Sequence, residues 1–413
     1  MSGAMSQPTR SLSFLRDLGA NAVMAALPEG STRYVGGCVR NALWGVAVSD
    51  IDMATQMEPN AVAEALKSAR IKTVPTGIAH GTLTAVVGGK PYEITTLRRD
   101  VETDGRRAVI AYTQDWAEDA QRRDFTVNAL YASADGEIFD PTGQGLDDIA
   151  ARRFRFVGEA QDRVQEDYLR ILRLFRFMAW YGQDAKIAKA ALTACRDNRG
   201  GLKTLSAERV WSELKKLLSA PNPVRSVRIM LQQELLDTVL PEASNVDGLD
   251  RLVALEAREQ IAPDPLLRLM AMMGREPLPA TLLAKRMKMS NRESGRLKAW
   301  ASDSESLSCD MAERARMQAI YRAGQQVILD RARLRAAGAR DPIESSHWMT
   351  LADLALGWTP PTFPIRGADL MKAGVPKGPE LGKALSALEA LWIRSGFSTE
   401  KPQLLAALKL LGY

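Results

Sequence analysis

Asp50 and Asp52 stand one residue apart in VSDIDMAT, a short way downstream of Gly36-Gly37 in TRYVGGCVRN. In an extended strand, residues two apart share a face. Two carboxylates are therefore expected side by side, with Ile51 buried between them. Like charges held together raise each other's pKa unless a cation neutralises them. Hard oxygen donors without histidine suit Mg²⁺. A pair of such ions activates an attacking hydroxyl and steadies a leaving pyrophosphate. Taken alone, the spacing also fits a solvated turn, although Val48, Ile51 and Met53 favour a strand. Gly36-Gly37 is expected to end one strand and open a short helix, where unobstructed backbone N–H groups wrap a phosphate. A plain tight turn explains the glycines equally well. Arg40, in the first turn of that helix, would add positive charge. Glu93 in PYEITTL is the expected third carboxylate. Partly buried among apolar and β-branched neighbours, it needs a partner, either a metal ion or an arginine such as Arg98.

The elements that must hold these groups are legible as pattern. Residues 11–27 read as a short amphipathic helix stopped by Pro28-Glu29-Gly30. TRYVGG reads as a strand, CVRNALWG as a helix, VSDIDMAT as a second strand and PNAVAEALKSAR as a helix. In HGTLTAVVGGKPYEITTLRR two alternating runs flank Gly88-Gly89, a hairpin signature. From about Ala151 the period becomes helical. RVQEDYLRILRLFRFMAWYG, AERVWSELKKLLSA, SVRIMLQQELLDTVL, DPLLRLMAMMG and PELGKALSALEALWIRSG all share it. The fold class expected is α+β. A mixed α/β head over residues 1–150 precedes an all-helical remainder, with a soft boundary near Pro221-Asn222-Pro223.

Charge follows the same division. The first 150 residues carry 14 Lys and Arg against 19 Asp and Glu, and residues 151–413 carry 41 against 30. The basic remainder is the better candidate for contact with a polyanion, though an ordinary solvated basic surface also accounts for it. Cys38, Cys195 and Cys309 form no CxxC pair, which fits a reducing cytosol. With only His80 and His347, a histidine-rich zinc site is not expected. No run is long and uncharged enough for a signal peptide core or a membrane span. His80 reads as a packing or turn residue, and Trp44, Trp180 and Trp211 as core.

GGCVRN and DIDMAT, followed by RRDFTVNAL (122–130), FDPTGQGLDDI (139–149) and RFVGEAQDRVQEDYLRILRLFRF (155–177), resemble the class II tRNA nucleotidyltransferases. These are the CCA-adding enzymes, whose head bacterial poly(A) polymerases share. The strong motifs span about residues 31–180, and FPIRGADLMKAGVPKGPELG extends the likeness towards the C-terminus.

The resemblance implies a nucleotidyltransferase head, a helical neck over 151–220 and an elongated body and tail over 221–413. It implies addition of CMP and AMP from CTP and ATP to the 3′ end of tRNA, with Mg²⁺ as cofactor. Body and tail would grip the acceptor stem and TΨC arm. Asp50 and Asp52 match the metal pair, Glu93 the third carboxylate, and Gly36, Gly37 and Arg40 the triphosphate turn. Asn41 departs from the aspartate usual at its position. Arg122 and Arg123 would clamp phosphates, and Asp124 would orient one of them or contact the ribose, with Asn128 in the same motif. The charged stretch RRDVETDGRRAVIAYTQDWAEDA falls where the family has a flexible loop needed for the terminal adenosine. Asp167 and Arg170, three apart on one helix, would accept from the exocyclic amino group and donate to the ring nitrogen of cytosine or adenine. Uracil and guanine present the wrong polarity. Arg163 and Glu166 would hold that pair, while Arg173 and Arg176 would meet phosphate or serve the structure. AKRMKMSNRESGRLKAW and the segment around Lys372 and Lys377 are expected phosphate contacts or exposed basic faces. Poly(A) polymerase, a partial CC- or A-adding enzyme and a catalytically idle RNA-binding protein remain the alternatives. The nearly neutral AVVGGKPYEITT speaks against the first and the intact carboxylates against the last.

Overall fold

The computed structural model describes residues 12–77, 81–104, 107–182 and 184–413. His80 and Gly105 lie outside them. Two compact units form, Met1–Val239 and Leu240–Tyr413.

In the first unit, the strands β1 (Thr32–Val35), β2 (Asp52–Thr55), β3 (Lys72–Gly77), β4 (Thr82–Val87) and β5 (Lys90–Thr96) build most of one mixed sheet. β6 (Arg98–Asp104) and β7 (Arg107–Tyr112) form a separate antiparallel ribbon. The short β8 (Tyr131–Ala132) and β9 (Ile138–Phe139) complete the main sheet, whose order is β3-β4-β5-β2-β1-β8-β9. β2 runs parallel to β5 and antiparallel to β1. The expected hairpin is β4–β5, turned by Gly88 and Gly89 at φ 58° and 81°. That left-handed pair of dihedrals is what a two-residue turn matching the twist of the strands requires.

Residues alternate across this sheet, so each face has its own core. Tyr34, Met53, Leu83, Tyr92 and Ile94 pack on one side with Val39 and Val62. Those two come from α2 (Gly37–Trp44) and α3 (Pro59–Ser68), which follow α1 (Leu18–Ala25). Val35, Ala54, Leu97 and Tyr131 pack on the other side with Ala120, which belongs to α4 (Trp116–Gln121). The expected helix over 11–27 is in fact a 3₁₀ turn, Ser13–Arg16, and α1, because Asp17 breaks the run to cap Ala20 N–H at 2.9 Å. The second strand is shorter than VSDIDMAT, since it starts only at Asp52.

α5 (Gly145–Ala150), α6 (Ala160–Glu166), α7 (Leu169–Tyr181), α8 (Lys189–Asp197), α9 (Ala207–Leu218), α10 (Val224–Gln232) and α11 (Leu235–Val239) finish the first unit. The apolar period running through RVQEDYLRILRLFRF hides a break: Asp167 is extended, at φ −149° and ψ 102°, between α6 and α7. Trp44 and Trp211 are buried as expected, whereas Trp180 is 45% exposed. It donates its indole N–H to the Lys216 carbonyl at 2.7 Å instead of entering the core.

The second unit is helical throughout its described elements: α12 (Val246–Arg258), α13 (Pro265–Met272), α14 (Pro277–Arg286), α15 (Asn291–Ser302), α16 (Glu313–Ala323), α17 (Gln325–Ala337), α18 (Pro342–Gly357), α19 (Gly367–Lys372), α20 (Pro379–Arg394) and α21 (Lys401–Leu410). Local stop signals divide the long periodic runs. Gly324 separates α16 from α17, and Ser290 with Glu293 forms a capping box that restarts the chain at α15.

Candidate active site

Asp52 opens β2 directly opposite Glu93 of the parallel β5. Paired positions on neighbouring strands share a face, so both carboxylates stand on the face away from Met53 and Ile94. Glu93 is exposed, not partly buried as its neighbours imply, because Tyr92 and Ile94 turn to the opposite face. Asp50 is exposed and precedes the strand, where Ser49 Oγ donates to its carboxylate at 2.9 Å. Ile51 between them is buried, as expected. Burial, with Glu93 and then Asp50 nearby, pushes the Asp52 carboxyl up to about 6, and only Arg123 opposes this. Among the described residues, no three His, Cys, Asp or Glu side chains converge closely enough to hold a metal ion. The donor chemistry still suits a divalent cation: Glu93 and Asp50 act against the charge on Asp52 beyond what Arg123 offsets, and such an ion neutralises it.

Gly36 ends β1 at φ 70°, and α2 starts at Gly37. A side chain at Gly36 would place its Cβ 3.5 Å from the Asn128 carbonyl and 3.6 Å from Arg123 Nη1. The turn thus lies beside two guanidinium groups: Arg123 at Gly36 and, as expected, Arg40, whose Nη2 lies 3.8 Å from the Cβ position of Gly37. Arg40 is buried, and its donors go to the side chains of Asn128, Asn41 and Tyr181, with Asn41 Oδ1 at 2.9 and 3.1 Å. Its guanidinium lies 4.2 Å from the Tyr181 ring centre. Arg40 thus ties α2 to α7 from a place beside the Gly37 end of the turn. Asn41, the unusual residue, serves this tie through its oxygen, while Nδ2 donates to the Ala47 carbonyl at 3.1 Å.

Arg122 and Arg123 converge on Asp119, a residue of the charged stretch after Glu93 to which the sequence analysis gives no role of its own. Arg122 Nη2 donates to Asp119 Oδ1 at 2.6 Å, and Arg123 Nη2 to Oδ2 at 2.9 Å. Tyr131 O–H adds a bond at 2.7 Å. Burial works against the Asp119 charge, yet Arg123 and Arg122 hold its pKa down at about 2. The three- and four-residue spacings Asp119–Arg122 and Asp119–Arg123 were the signal available in the sequence. Asp124 does not orient these arginines. It accepts Asn128 Nδ2 and Phe125 N–H, each at 2.9 Å, and pairs with Arg173. Arg173 is therefore committed to a carboxylate, and Arg176 pairs with Glu213 at 2.9 Å.

The expected base-reading pair is arranged differently from a shared helix face. Asp167 sits in the break before α7 and Arg170 in its first turn. Asp167 Oδ1 accepts Leu169 N–H at 3.1 Å, and Oδ2 accepts Arg209 Nη2 at 2.7 Å. Arg170 is buried and forks onto Glu166, with Nη1 to Oε2 at 2.8 Å and Nη2 to Oε1 at 3.1 Å. Arg163 also pairs with Glu166 and donates to the carbonyls of Arg122 and Arg123 at 2.6 and 2.9 Å. One network therefore runs from Arg170 through Glu166 and Arg163 to the arginine pair. Arg209, on α9, is marked in the sequence only as part of an amphipathic helix.

The comparisons with known proteins agree along the chain. The profile of the Poly A polymerase head domain matches residues 32–155. That of the RNA and SrmB binding site of polymerase A matches 185–246, and that of tRNA nucleotidyltransferase domain 2 matches 266–408. Mitochondrial CCA tRNA nucleotidyltransferase 1 of Homo sapiens is 34% identical over 399 residues, covering 91% of this chain and 86% of that protein. The CCA-adding enzyme of Levilactobacillus brevis is 31% identical over 389 residues, covering 91% and 92%. The crystal structure of the Bacillus stearothermophilus CCA-adding enzyme in complex with CTP has a TM-score of 0.77 at 26% identity, covering 95% of this chain and 97% of that one. No helix among the described residues is long and apolar enough to cross a membrane.

Proposed function

The chain belongs to the CCA-adding tRNA nucleotidyltransferases, and on that premise we propose that it adds CMP and AMP from CTP and ATP to the 3′ end of tRNA through the residues gathered around Asp52. The observation that carries this is the pairing of Asp52 with Glu93 on parallel strands, with Arg123 beside the open Gly36 turn and acting on the Asp52 charge. In the reaction, the terminal ribose oxygen bonds to the α-phosphorus of the nucleotide. The bond from that phosphorus to the β-phosphate oxygen breaks, and pyrophosphate leaves.

Asp50, Asp52 and Glu93 would hold Mg²⁺, which supplies Lewis-acid stabilisation of the phosphoryl oxygens when bound. Gly37 offers its backbone donor to the triphosphate, Gly36 N–H being given to the Leu130 carbonyl at 3.1 Å, and Arg123 Nη1 adds charge beside the open Gly36 turn. Arg122 serves the same end from the other side of Asp119. Arg40 and Asn128 fix α2, and Asp124 and Arg173 brace the neck against the motif that carries the arginines. Asp167 accepts from the amino group of cytosine or adenine, and Arg170 donates to the ring nitrogen. A carboxylate oxygen has two acceptor sites, so the bond from Arg209 does not exclude the base. A polar edge left unpaired costs about 1–3 kcal/mol, which rejects uracil and guanine. We assign residues 1–150 to catalysis, 151–220 to base reading and the 3′ end, and 221–413 to the acceptor and TΨC arm. The unpaired cysteines suit a reducing cytosol.

The test supplies Mg²⁺ and each labelled nucleotide with tRNA ending before CCA, before CA and before A, and with an unrelated RNA. Completion of CCA on all three tRNAs is expected, and none on the unrelated RNA. Long A tails on any RNA would overturn the reading in favour of a poly(A) polymerase. Arrest at CC would reduce it to a partial enzyme.

A further inference from the structure

The second unit holds a cavity of about 240 Å³ between α12, α13, α15 and α17. Four arginines line it, Arg251, Arg275, Arg331 and Arg335, and no Asp or Glu is among its lining residues. Trp300 and Leu334 supply apolar wall. Arg331 and Arg335 are four apart on α17 and project to one side. Two of the arginines are fixed from behind. Arg275 Nη1 donates to the carbonyls of Asp303 at 2.6 Å and Trp300 at 3.3 Å. Arg331 is buried, pairs with the Asp303 carboxylate and donates to the Glu305 carbonyl at 2.7 Å. Asp303 thus offsets one charge of the four. Arg251 and Arg335 are exposed at the rim, and neither has an ion-pair partner among the described residues. Burial lowers the Arg331 pKa, and Arg275 and Arg335 beside it act in the same direction against Asp303. Arg331 is the buried guanidinium of the four, and a desolvated charge ringed by three exposed like charges is stabilised by an anion.

We propose that this cavity is a phosphate-binding site, in which Arg251, Arg275, Arg331 and Arg335 surround one phosphate group and Trp300 and Leu334 cover the short organic part attached to it. Guanidinium forks match phosphate oxygens in pairs, which a set of lysines would not do. The volume falls below the ~300 Å³ at which pockets for larger ligands begin, so a single phosphate ester fits and a whole nucleoside triphosphate does not. The phosphate comes either from a nucleic-acid backbone or from a small free ester. Binding rests on the cavity alone, and only the nucleic-acid source rests on the proposed tRNA substrate.

The test is thermal unfolding of the full chain with rising inorganic phosphate, against chloride at equal ionic strength. It compares the native protein with Arg251→Ala/Arg335→Ala and with the charge-reversed Arg251→Glu/Arg335→Glu. Both positions are exposed, so folded variants are expected. The native protein should gain thermal stability from phosphate, and the variants should lose at least half of that gain. Steady-state kinetics then separates the sources. A KM for tRNA raised about fivefold or more at unchanged kcat places a backbone phosphate in the cavity, whereas an unchanged KM assigns it to a free ester. No gain over chloride in the native protein, or an equal gain in all three proteins, overturns the site. The phosphate readout needs no turnover, so failure of CCA addition would not be mistaken for failure of the cavity.

Discussion

Asp119 accepts from Arg122, Arg123 and Tyr131 at once, and so fixes the two arginines proposed to meet the triphosphate. Its carboxyl titrates near 2, below the ordinary 3.8, because the two arginines outweigh the burial that opposes them. A depressed carboxylate stabilises the native state above its unfolded pKa, and the contribution is lost as pH falls from about 4 through 2. Asp124 is likewise held at about 2, with Arg173 prevailing over burial. Asp119→Asn should therefore cost on the order of 3 kcal/mol at neutral pH by leaving the arginines unpaired, and should flatten the loss of stability between pH 4 and pH 2. Urea unfolding across that range measures both, and an unchanged acid slope would show that Asp119 is not the group responsible. A second prediction concerns base choice. Asp167→Ala or Arg170→Ala should admit UTP and GTP. Arg209→Ala should instead lower kcat/KM for CTP and ATP about tenfold, as loss of ~1.4 kcal/mol of positioning would do, without admitting the other two. Single-nucleotide incorporation separates the cases, since equal loss of selectivity in all three variants would make Arg209 a reading residue itself.

The elements that place these side chains differ in how far they could be read in advance. β1, α2 and the β4–β5 hairpin follow from local signals: period-two alternation, Gly-Gly at a left-handed turn, and a helix opening at Gly37. The break at Asp167 does not, because apolar residues keep helical spacing on both sides of it and only the Leu169 N–H taken by the Asp167 carboxylate marks the restart. The partners of Arg40 are a tertiary matter: Tyr181 lies 141 residues away, and nothing local distinguishes an arginine bound for a ligand from one bound for another helix. Glu93 is exposed although its neighbours are apolar, because in a strand those neighbours face the other way. The charged stretch after Glu93, expected as a loop, is the ribbon β6–β7 outside the main sheet. A two-stranded ribbon without a third strand is marginal on its own. Replacing residues 101–110 with a short glycine linker should leave addition of CC intact and lower addition of the terminal A by about 10²-fold or more, the scale expected when a positioning element is lost. Gel resolution of products on tRNA ending before CCA and before A decides it, and equal loss of both steps would refute a specific role in the last one.

At the scale of the whole molecule, the balance of 41 basic to 30 acidic residues after position 150 overstates the charge available to RNA. Much of it is spent internally. Arg268 pairs with Glu256 in full burial at 2.6 Å, and Arg296 bridges Asp264 and Asp330 at 2.6 and 2.7 Å. The basic residues that remain at the surface include Lys285, Lys372 and Lys377, all exposed. These two classes should respond differently to salt. Each phosphate contact releases counterions and contributes roughly −0.7 to −0.9 to the slope of log affinity against log salt. For tRNA binding by the native chain, loss of Lys285, Lys372 and Lys377 together to alanine should make that slope shallower by about one unit or more, with the melting temperature nearly unchanged. Arg296→Ala should do the reverse. It leaves Asp330 buried without its cation, which costs on the order of 3 kcal/mol, while the salt slope stays as it was. Filter-binding titrations at several KCl concentrations, run beside thermal unfolding of each variant, measure both quantities. A native slope near zero would mean that tRNA is held without the phosphate contacts this surface offers. A slope changed by Arg296→Ala alone would move the contact surface from the exposed lysines to the residues braced by that bridge.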